Sequence, residues 1–234
     1  MRIVDGWEDL NIDSKFVKYR GKNYRRVLAV GDIHGQFDKL ISLFKKVDVK
    51  RNDLVIFLGD YIKSYEDGGD LETLQWLMAE NRHENFIMLL GNTELNFMWD
   101  CFDEGGNLLT KQKKLKKWSV ARKLREDLEL AGNIYKFLLS LRLSFKLTVG
   151  EKVFVFSHAG FESKLGNFNK TDDNNFFVKG HAPVQKVFGK RFSTPKIKGG
   201  NVLFVDTGAK QINGRISCVD ILSGEFWQSP ITWK

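Results

Sequence analysis

The chain is poor in cysteine and proline and has no long apolar run. Two cysteines, Cys101 and Cys218, in 234 residues are too few for a disulfide-stapled secreted scaffold. A reduced, cytoplasmic protein is the expectation. Proline occurs only at 183, 195 and 230, and no low-complexity linker or internal repeat interrupts the sequence. One domain over residues 1–234 is therefore expected, and the length suffices for one sizeable core. No stretch of about 18 apolar residues is present, so no membrane partner is expected. Met1 to Leu10 carries acids and a tryptophan rather than a basic stretch followed by an apolar one, so no secretory signal is expected. Histidine is scarce as well, with four in all, and their placement carries most of the information.

Charge is the first thing present in excess. The formal net charge is +8, which suits an anionic partner, nucleic acid included, or simply a solvated basic surface. Much of the excess lies in Lys111 to Arg125. Leu115, Trp118, Ala121, Leu124, Leu128 and Ala131 recur there at helical spacing, which predicts one amphipathic helix with a basic outer face. A solvated face is its ordinary role.

The remaining pattern is alternating. Arg25 to Val30, Asp53 to Leu58 and Asn85 to Leu90 are apolar strand runs. Lys39 to Val47 and Asp70 to Glu80 are helical, with Leu40, Ile41, Leu43 and Phe44 as the stripe of the first. This βαβαβ order predicts parallel strands with right-handed crossovers. Leu143 to Val149 and Lys152 to Ser157 flank Gly150-Glu151 as a hairpin. Phe176 to Lys179, Val202 to Val205 and Ile216 to Ile221 read as further strands in a meander. Residues 107–141 form a helical insertion between the halves. Two packed sheets with helices outside are predicted.

Ligand-bearing residues collect at the ends of these strands. Gly31-Asp32-Ile33-His34-Gly35, Gly59-Asp60, Gly91-Asn92, His158-Ala159-Gly160 and Gly180-His181-Ala182-Pro183 each follow an apolar run. In open α/β sheets the carboxyl ends of strands are where ligands gather. Asp32, His34, Asp60, Asn92, His158 and His181 together offer a two-metal site of the kind that hydrolyses phosphate esters. Mixed imidazole and carboxylate donors favour Mn, Fe, Zn or Co over Ca or Mg. One Gly-Asp turn would mean little; five such turns in order are hard to explain as loop chemistry. His83 sits in a polar helix-to-strand turn and reads as surface, and Cys101 as core packing.

These motifs resemble the calcineurin-like metallophosphoesterases, most closely the small bacterial and phage branch of the phosphoprotein phosphatases. That pattern runs G-D-x-H-G, G-D-x-x-D-R-G, G-N-H-E, H-A-G, G-H-x-P. The run Phe204-Val205-Asp206-Thr207-Gly208-Ala209 resembles its late strand and turn. The resemblance covers residues 25 to 210 and implies a four-layer αββα sandwich. It implies that Asp32, His34 and Asp60 hold one metal and that Asp60, Asn92, His158 and His181 hold the other. Two divalent or trivalent transition-metal ions are implied, Mn first, with attack on phosphorus by a metal-activated hydroxide.

Three positions depart from the family. Its Asp-Arg pair is replaced by Lys63 and Ser64, and its proton-donating His by Thr93. The stretch between His158 and His181 offers no arginine for a second phosphate clamp. The catalytic positions are thus Asp60, Asn92, Thr93, Lys63 and Ser64, three of them substituted. Impaired or altered hydrolysis of a phosphoprotein, nucleotide or small phosphoester is the first reading. A metal-binding pseudophosphatase or inactivated variant that holds a phosphorylated ligand is the second. A nucleotide or nucleic-acid phosphodiesterase using the basic helix is the third.

Overall fold

The computed structural model describes residues 16–19, 24–63, 68–159 and 175–231. In chain order the elements are β1 (Phe16–Tyr19), β2 (Arg26–Val30), α1 (Phe37–Val47), β3 (Asp53–Phe57), α2 (Asp70–Glu80), β4 (Phe86–Met88) and α3 (Asn92–Cys101). Then come a 3-10 turn (Lys113–Lys117), α4 (Ser119–Leu124), α5 (Leu128–Ser140), β5 (Ser144–Val149), β6 (Lys152–Ser157) and β7 (Asn175–Lys179). The chain continues through α6 (Val184–Phe188), β8 (Lys196–Lys198), β9 (Val202–Phe204), β10 (Ser217–Asp220) and β11 (Phe226–Gln228).

The strands form two sheets, one of six strands in the order β1-β5-β6-β7-β9-β8 and one of five in the order β11-β10-β2-β3-β4. Side-chain alternation explains the continuous apolar runs of β2 and β3. Val27, Ala29, Leu54, Ile56 and Leu58 point between the sheets, where they meet Phe145, Leu147, Phe156, Val178 and Leu203. Leu28, Val30, Val55 and Phe57 point the other way, onto Leu40 and Leu43 of α1, Leu74 and Leu77 of α2, and the insertion. A strand buried on both faces loses its polar alternate positions. On the outer face of the six-stranded sheet, Phe188 of α6 packs edge-on against Phe204 with ring centroids 5.7 Å apart. The layering is helix, sheet, sheet, helix.

Pairing in the first half is as expected: β2, β3 and β4 are parallel, and β5–β6 is an antiparallel hairpin. The expected meander needs correction. β6, β7 and β9 are mutually parallel. Parallel pairing aligns the carboxyl ends of these three strands at one edge, as it does for β2, β3 and β4.

The predicted basic helix over Lys111 to Arg125 is also corrected. The chain makes a 3-10 turn, breaks at Trp118 (φ −112°, ψ 112°), forms the short α4 and restarts at α5. Trp118 causes the first break. Its ring is buried against Phe97, with centroids 5.3 Å apart, and its indole N–H donates to Asp100 at 3.1 Å. Five lysines on consecutive turns also repel one another in a continuous helix. Asp127 causes the restart, its side chain capping the Leu130 N–H at 2.9 Å. The apolar stripe itself is sound: Leu115, Trp118, Ala121, Leu124 and Ala131 are buried, while Leu128 is exposed. No helix among the described residues is long and apolar enough to cross a membrane.

Candidate metal centre

The six residues singled out by the sequence meet at the aligned strand ends. Asp32 and His34 follow β2, Asp60 follows β3, Asn92 opens α3 after β4, His158 follows β6 and His181 follows β7. The loops are stitched by main-chain bonds. Ile33 and His34 N–H both donate to the Asp60 carbonyl, at 3.0 and 2.9 Å, and Gly35 N–H to that of Tyr61 at 2.7 Å. The two sheets are tied across the site by His181 N–H to Asp32 Oδ1 at 3.0 Å and by His158 Nδ1 to the Leu58 carbonyl at 2.9 Å.

Backbone conformation is unusual where it matters. His34, Asp60 and His181 have φ of 50°, 53° and 63°, a left-handed region that residues with a Cβ rarely enter and that clusters at functional sites. Gly59 has φ 98°, and a Cβ there would lie 2.7 Å from the Gly91 nitrogen. Only glycine lets the β3 and β4 loops approach closely enough to bring Asp60 beside Asn92.

The side chains form two groups that share Asp60: Asp32, His34 and Asp60, and Asp60, His158 and His181. His34 Nε2 is 3.6 Å from both Asp32 Oδ2 and Asp60 Oδ2. His158 Nε2 is 3.2 Å from Asp60 Oδ1 and 3.0 Å from Asn92 Oδ1. His181 Nδ1 is 2.7 Å from Asn92 Oδ1.

Tautomer logic tests whether these atoms fit a cation. His158 Nδ1 faces the Leu58 carbonyl and His34 Nδ1 faces that of Ile62 at 3.3 Å. A carbonyl only accepts, so each Nδ1 carries the proton and each neutral ring turns its Nε2 lone pair inward. Those lone pairs meet carboxylate and amide oxygens, which are themselves acceptors. Asp32 Oδ2 is buried with no hydrogen-bond partner. Acceptors facing acceptors are reconciled by a cation, and the residues fit one.

Electrostatics agree. Burial pushes Asp32 up to about 7, reinforced by the Asp60 charge and opposed by His158. Burial also works against ionisation of Asp60, but His158, His34 and the Thr93 N–H outweigh it and bring the group below its ordinary value. His34 is lowered by burial. Negative groups crowded this closely are stabilised by a positive ion among them.

Two acids that carry no assigned role in the sequence complete the centre. Glu94, fully buried, accepts from Asp60 N at 2.9 Å and Gly91 N at 3.1 Å through Oε2, and from Tyr61 N at 2.8 Å and Ile62 N at 3.2 Å through Oε1. Burial and the Asp60 charge push it up to about 8. Its signal was its place three residues after Gly91, where a first-turn acid reaches back to free N–H groups. Asp206, just past β9, is pushed up to about 8 by burial and the neighbouring Asp32.

The substituted positions lie as follows. Thr93 is beside Asp60, donating its N–H to Oδ1 at 2.9 Å. Lys63 N–H donates to Asp70 Oδ1 at 3.0 Å. Ser64 and Gly160 lie outside the described residues. His83 is exposed, with Glu80 Oε2 4.0 Å from its Nε2.

A double sheet with helices on both faces, and two donor groups about one carboxylate at its strand ends, is a metallophosphoesterase sandwich. The chain belongs to the calcineurin-like phosphoesterases, whose family profile matches residues 25–216. Over 118 residues, 49% of the chain, it is 27% identical to serine/threonine-protein phosphatase PP1-delta of Caenorhabditis elegans; the match covers 38% of that longer protein. Among solved structures it is similar to a protein provisionally assigned as a diadenosine tetraphosphatase, with TM-score 0.60, 17% identity and coverage of 94% and 99% of the two chains. It is also similar to a serine/threonine phosphatase of Saccharomyces cerevisiae, with TM-score 0.59, 14% identity and coverage of 94% and 84%. At these identities the structural likeness speaks for the fold.

Proposed function

We propose that the protein hydrolyses phosphate monoesters with two metal ions, one held by Asp32, His34 and Asp60, the other by Asp60, Asn92, His158 and His181. The observation that carries this reading is the pair of donor groups meeting at Asp60, with the buried Asp32 Oδ2 lacking any other partner. Bound there, such ions polarise phosphoryl oxygens and make water a competent nucleophile near neutral pH. Mn is the favoured ion, with Fe, Zn or Co suited to the same donors. Two buried free cysteines support a cytoplasmic setting, and the chain is read as one domain.

The chain's own residues set the limits of the reaction. His34 and His158 are fixed as Nε2 donors by their Nδ1–H bonds to carbonyls. Glu94 holds the main chain on both sides of Asp60. Thr93 offers only an alcohol hydroxyl, too weak an acid to protonate a leaving alkoxide. Loss of a general acid lowers rates by about 10²- to 10⁴-fold, and the loss is felt least when the leaving group departs unaided. The substrate reading is therefore an activated phosphoester in preference to phosphoserine.

Binding of a phosphorylated ligand without turnover is the second reading, favoured by Thr93 standing where the family's proton donor would be. The nucleic-acid reading is weaker. Lys114 and Lys117 are drawn to Asp100 at 3.3 and 3.6 Å and Lys123 to Glu72 at 3.5 Å, which leaves less of the basic segment for phosphates.

The test compares p-nitrophenyl phosphate with phosphoserine, each with Mn, in the natural protein and in the combined variant Lys63→Asp, Ser64→Arg, Thr93→His. Turnover of the aryl ester and very slow turnover of phosphoserine are expected. The combined variant should speed the alkyl ester on the order of 10²-fold and the aryl ester much less. No turnover of the aryl ester by Mn-loaded protein would select the binding reading. Fast phosphoserine turnover by the natural protein would mean another residue supplies the proton.

A further inference from the structure

Lys39 is a buried lysine on α1, 4% exposed, that forms no ion pair among the described residues. Its ammonium donates to two carbonyls, Ala209 at 3.0 Å and Gly214 at 2.9 Å. Burial lowers its pKa, and the charge of Lys63 lowers it further. Placing an ammonium there is unfavourable unless its hydrogen bonds fix something. What they fix is the turn after β9.

Hydrogen bonds hold that turn at Gly208, Ala209, Gln211 and Gly214. Asp206 Oδ1 accepts from Gly208 N at 2.8 Å. Gln211 N donates to Gly208 O at 2.7 Å and Gly214 N to Gln211 O at 2.9 Å. A Cβ on Gly214 would run into the Gly208 carbonyl. One end of the turn is the buried Asp206, beside Asp32. At its crest stands Lys210, exposed and in no ion pair among the described residues. The turn leaves the carboxyl end of β9, which pairs in parallel with β7, the strand that ends at His181. A Cβ on Gly31, just ahead of Asp32, would lie 2.7 Å from the Val205 carbonyl. The turn therefore borders the Asp32 side of the centre, and the Lys210 charge is felt by Asp32 and His34. Lys63 is tied through its main-chain N–H to Asp70 Oδ1 at 3.0 Å, at the start of α2.

A phosphoryl group docked on the centre brings two negative charges to this rim. The sequence provides no arginine at the family's clamp position, Ser64, and none between 160 and 174. We infer that Lys210 binds a non-bridging oxygen of the substrate's phosphoryl group, and that Lys39 is the positioning residue that holds the Lys210 turn against the centre. This rests on the reading of the cluster as a metal-dependent phosphoester site. An ammonium is a point charge rather than a two-pronged fork, so it serves one oxygen and imposes little orientation.

The experiment is titration calorimetry of inorganic phosphate into Mn-loaded protein, with Mn content measured on the same samples. Lys210→Ala should keep its Mn and bind phosphate on the order of ten-fold more weakly, the effect of losing one charge-assisted hydrogen bond. Lys210→Arg should restore most of that affinity. With p-nitrophenyl phosphate, the alanine variant should show a raised KM and a smaller change in kcat. Lys39→Met should weaken phosphate binding too, and adding Lys210→Ala to it should weaken binding little further, because both act through one contact. Unchanged phosphate affinity in Lys210→Ala, or loss of Mn with it, overturns the role of Lys210 while leaving the metal-centre reading in place. Absence of phosphate binding by the unaltered Mn-loaded protein overturns both.

Discussion

Replacing Glu94 by glutamine keeps the side chain's shape and turns one acceptor oxygen into a donor. The four N–H groups that Glu94 receives fall in two pairs, Asp60 and Gly91 on Oε2 and Tyr61 and Ile62 on Oε1. Glutamine can serve one pair through its carbonyl. Whichever pair faces its NH₂ is left with two buried donors opposed by a donor. An unsatisfied buried group costs about 1–3 kcal/mol, so above pH 8, where Glu94 is ionised and accepts all four, the variant should lose roughly 2–6 kcal/mol of stability, and less at lower pH, where Glu94 itself carries a proton. The harm falls on the main chain of Asp60, the carboxylate common to both donor groups. Residues that orient ligands in this way typically change metal affinity by about 10- to 100-fold. Equilibrium denaturation in urea, with calorimetric titration of Mn, reads both effects. A Glu94→Gln protein of unaltered stability and unaltered Mn affinity would refute the claim that this acid builds the centre.

Three further expectations follow from the same geometry. Asp53 lies at the opposite end of β3; burial pushes its carboxyl up, but Arg26, Arg25 and the Lys50 N–H outweigh this and hold it at about 2 against an ordinary 3.8. Its pKa is depressed by folding, so its contribution is full above pH 4 and fades as pH falls toward 2. Asp53→Asn should therefore be less stable by about 2 kcal/mol or more near neutrality, with the gap closing below pH 4 in denaturation curves. Trp118→Ala should destabilise by about 3–5 kcal/mol, measured in the same way, because the ring is 1% exposed and its N–H holds Asp100. Replacing Lys113, Lys114, Lys116 and Lys117 together by alanine should leave nucleic-acid binding and its salt dependence unchanged; a large loss would restore the phosphodiesterase reading.

Much of the fold was legible because its central strands are buried on both faces. That burial turns β2 and β3 into unbroken apolar runs, and parallel pairing puts a glycine-led turn at the end of each. The edges were not legible. β8 is a three-residue strand, Lys-Ile-Lys, with two of its residues exposed, and β11 is equally short; neither has enough alternation to stand out. The parallel pairing of β6 with β7 was hidden because no helical period marks the connection between them. The basic helix misled because Leu115, Trp118, Ala121 and Leu124 keep helical spacing through a real break, Leu115 reaching the core from a 3-10 turn, Trp118 from an extended residue, and Ala121 and Leu124 from α4. In the centre, side chains that offer donor atoms announce themselves by type. Residues that hold the loops do not: Lys39 looks like any helix lysine, and Glu94 like any acid in a first turn.

The central claim is that Asp60 is shared between two metal positions, and elemental analysis tests it most directly. The natural protein, purified or reloaded with Mn, should hold about two transition-metal ions per chain. Asp60→Ala should lose metal at both positions, and His181→Ala mainly at one. A natural protein that takes up no Mn, Fe, Zn or Co, or an Asp60→Ala variant that keeps its full complement, would contradict the account.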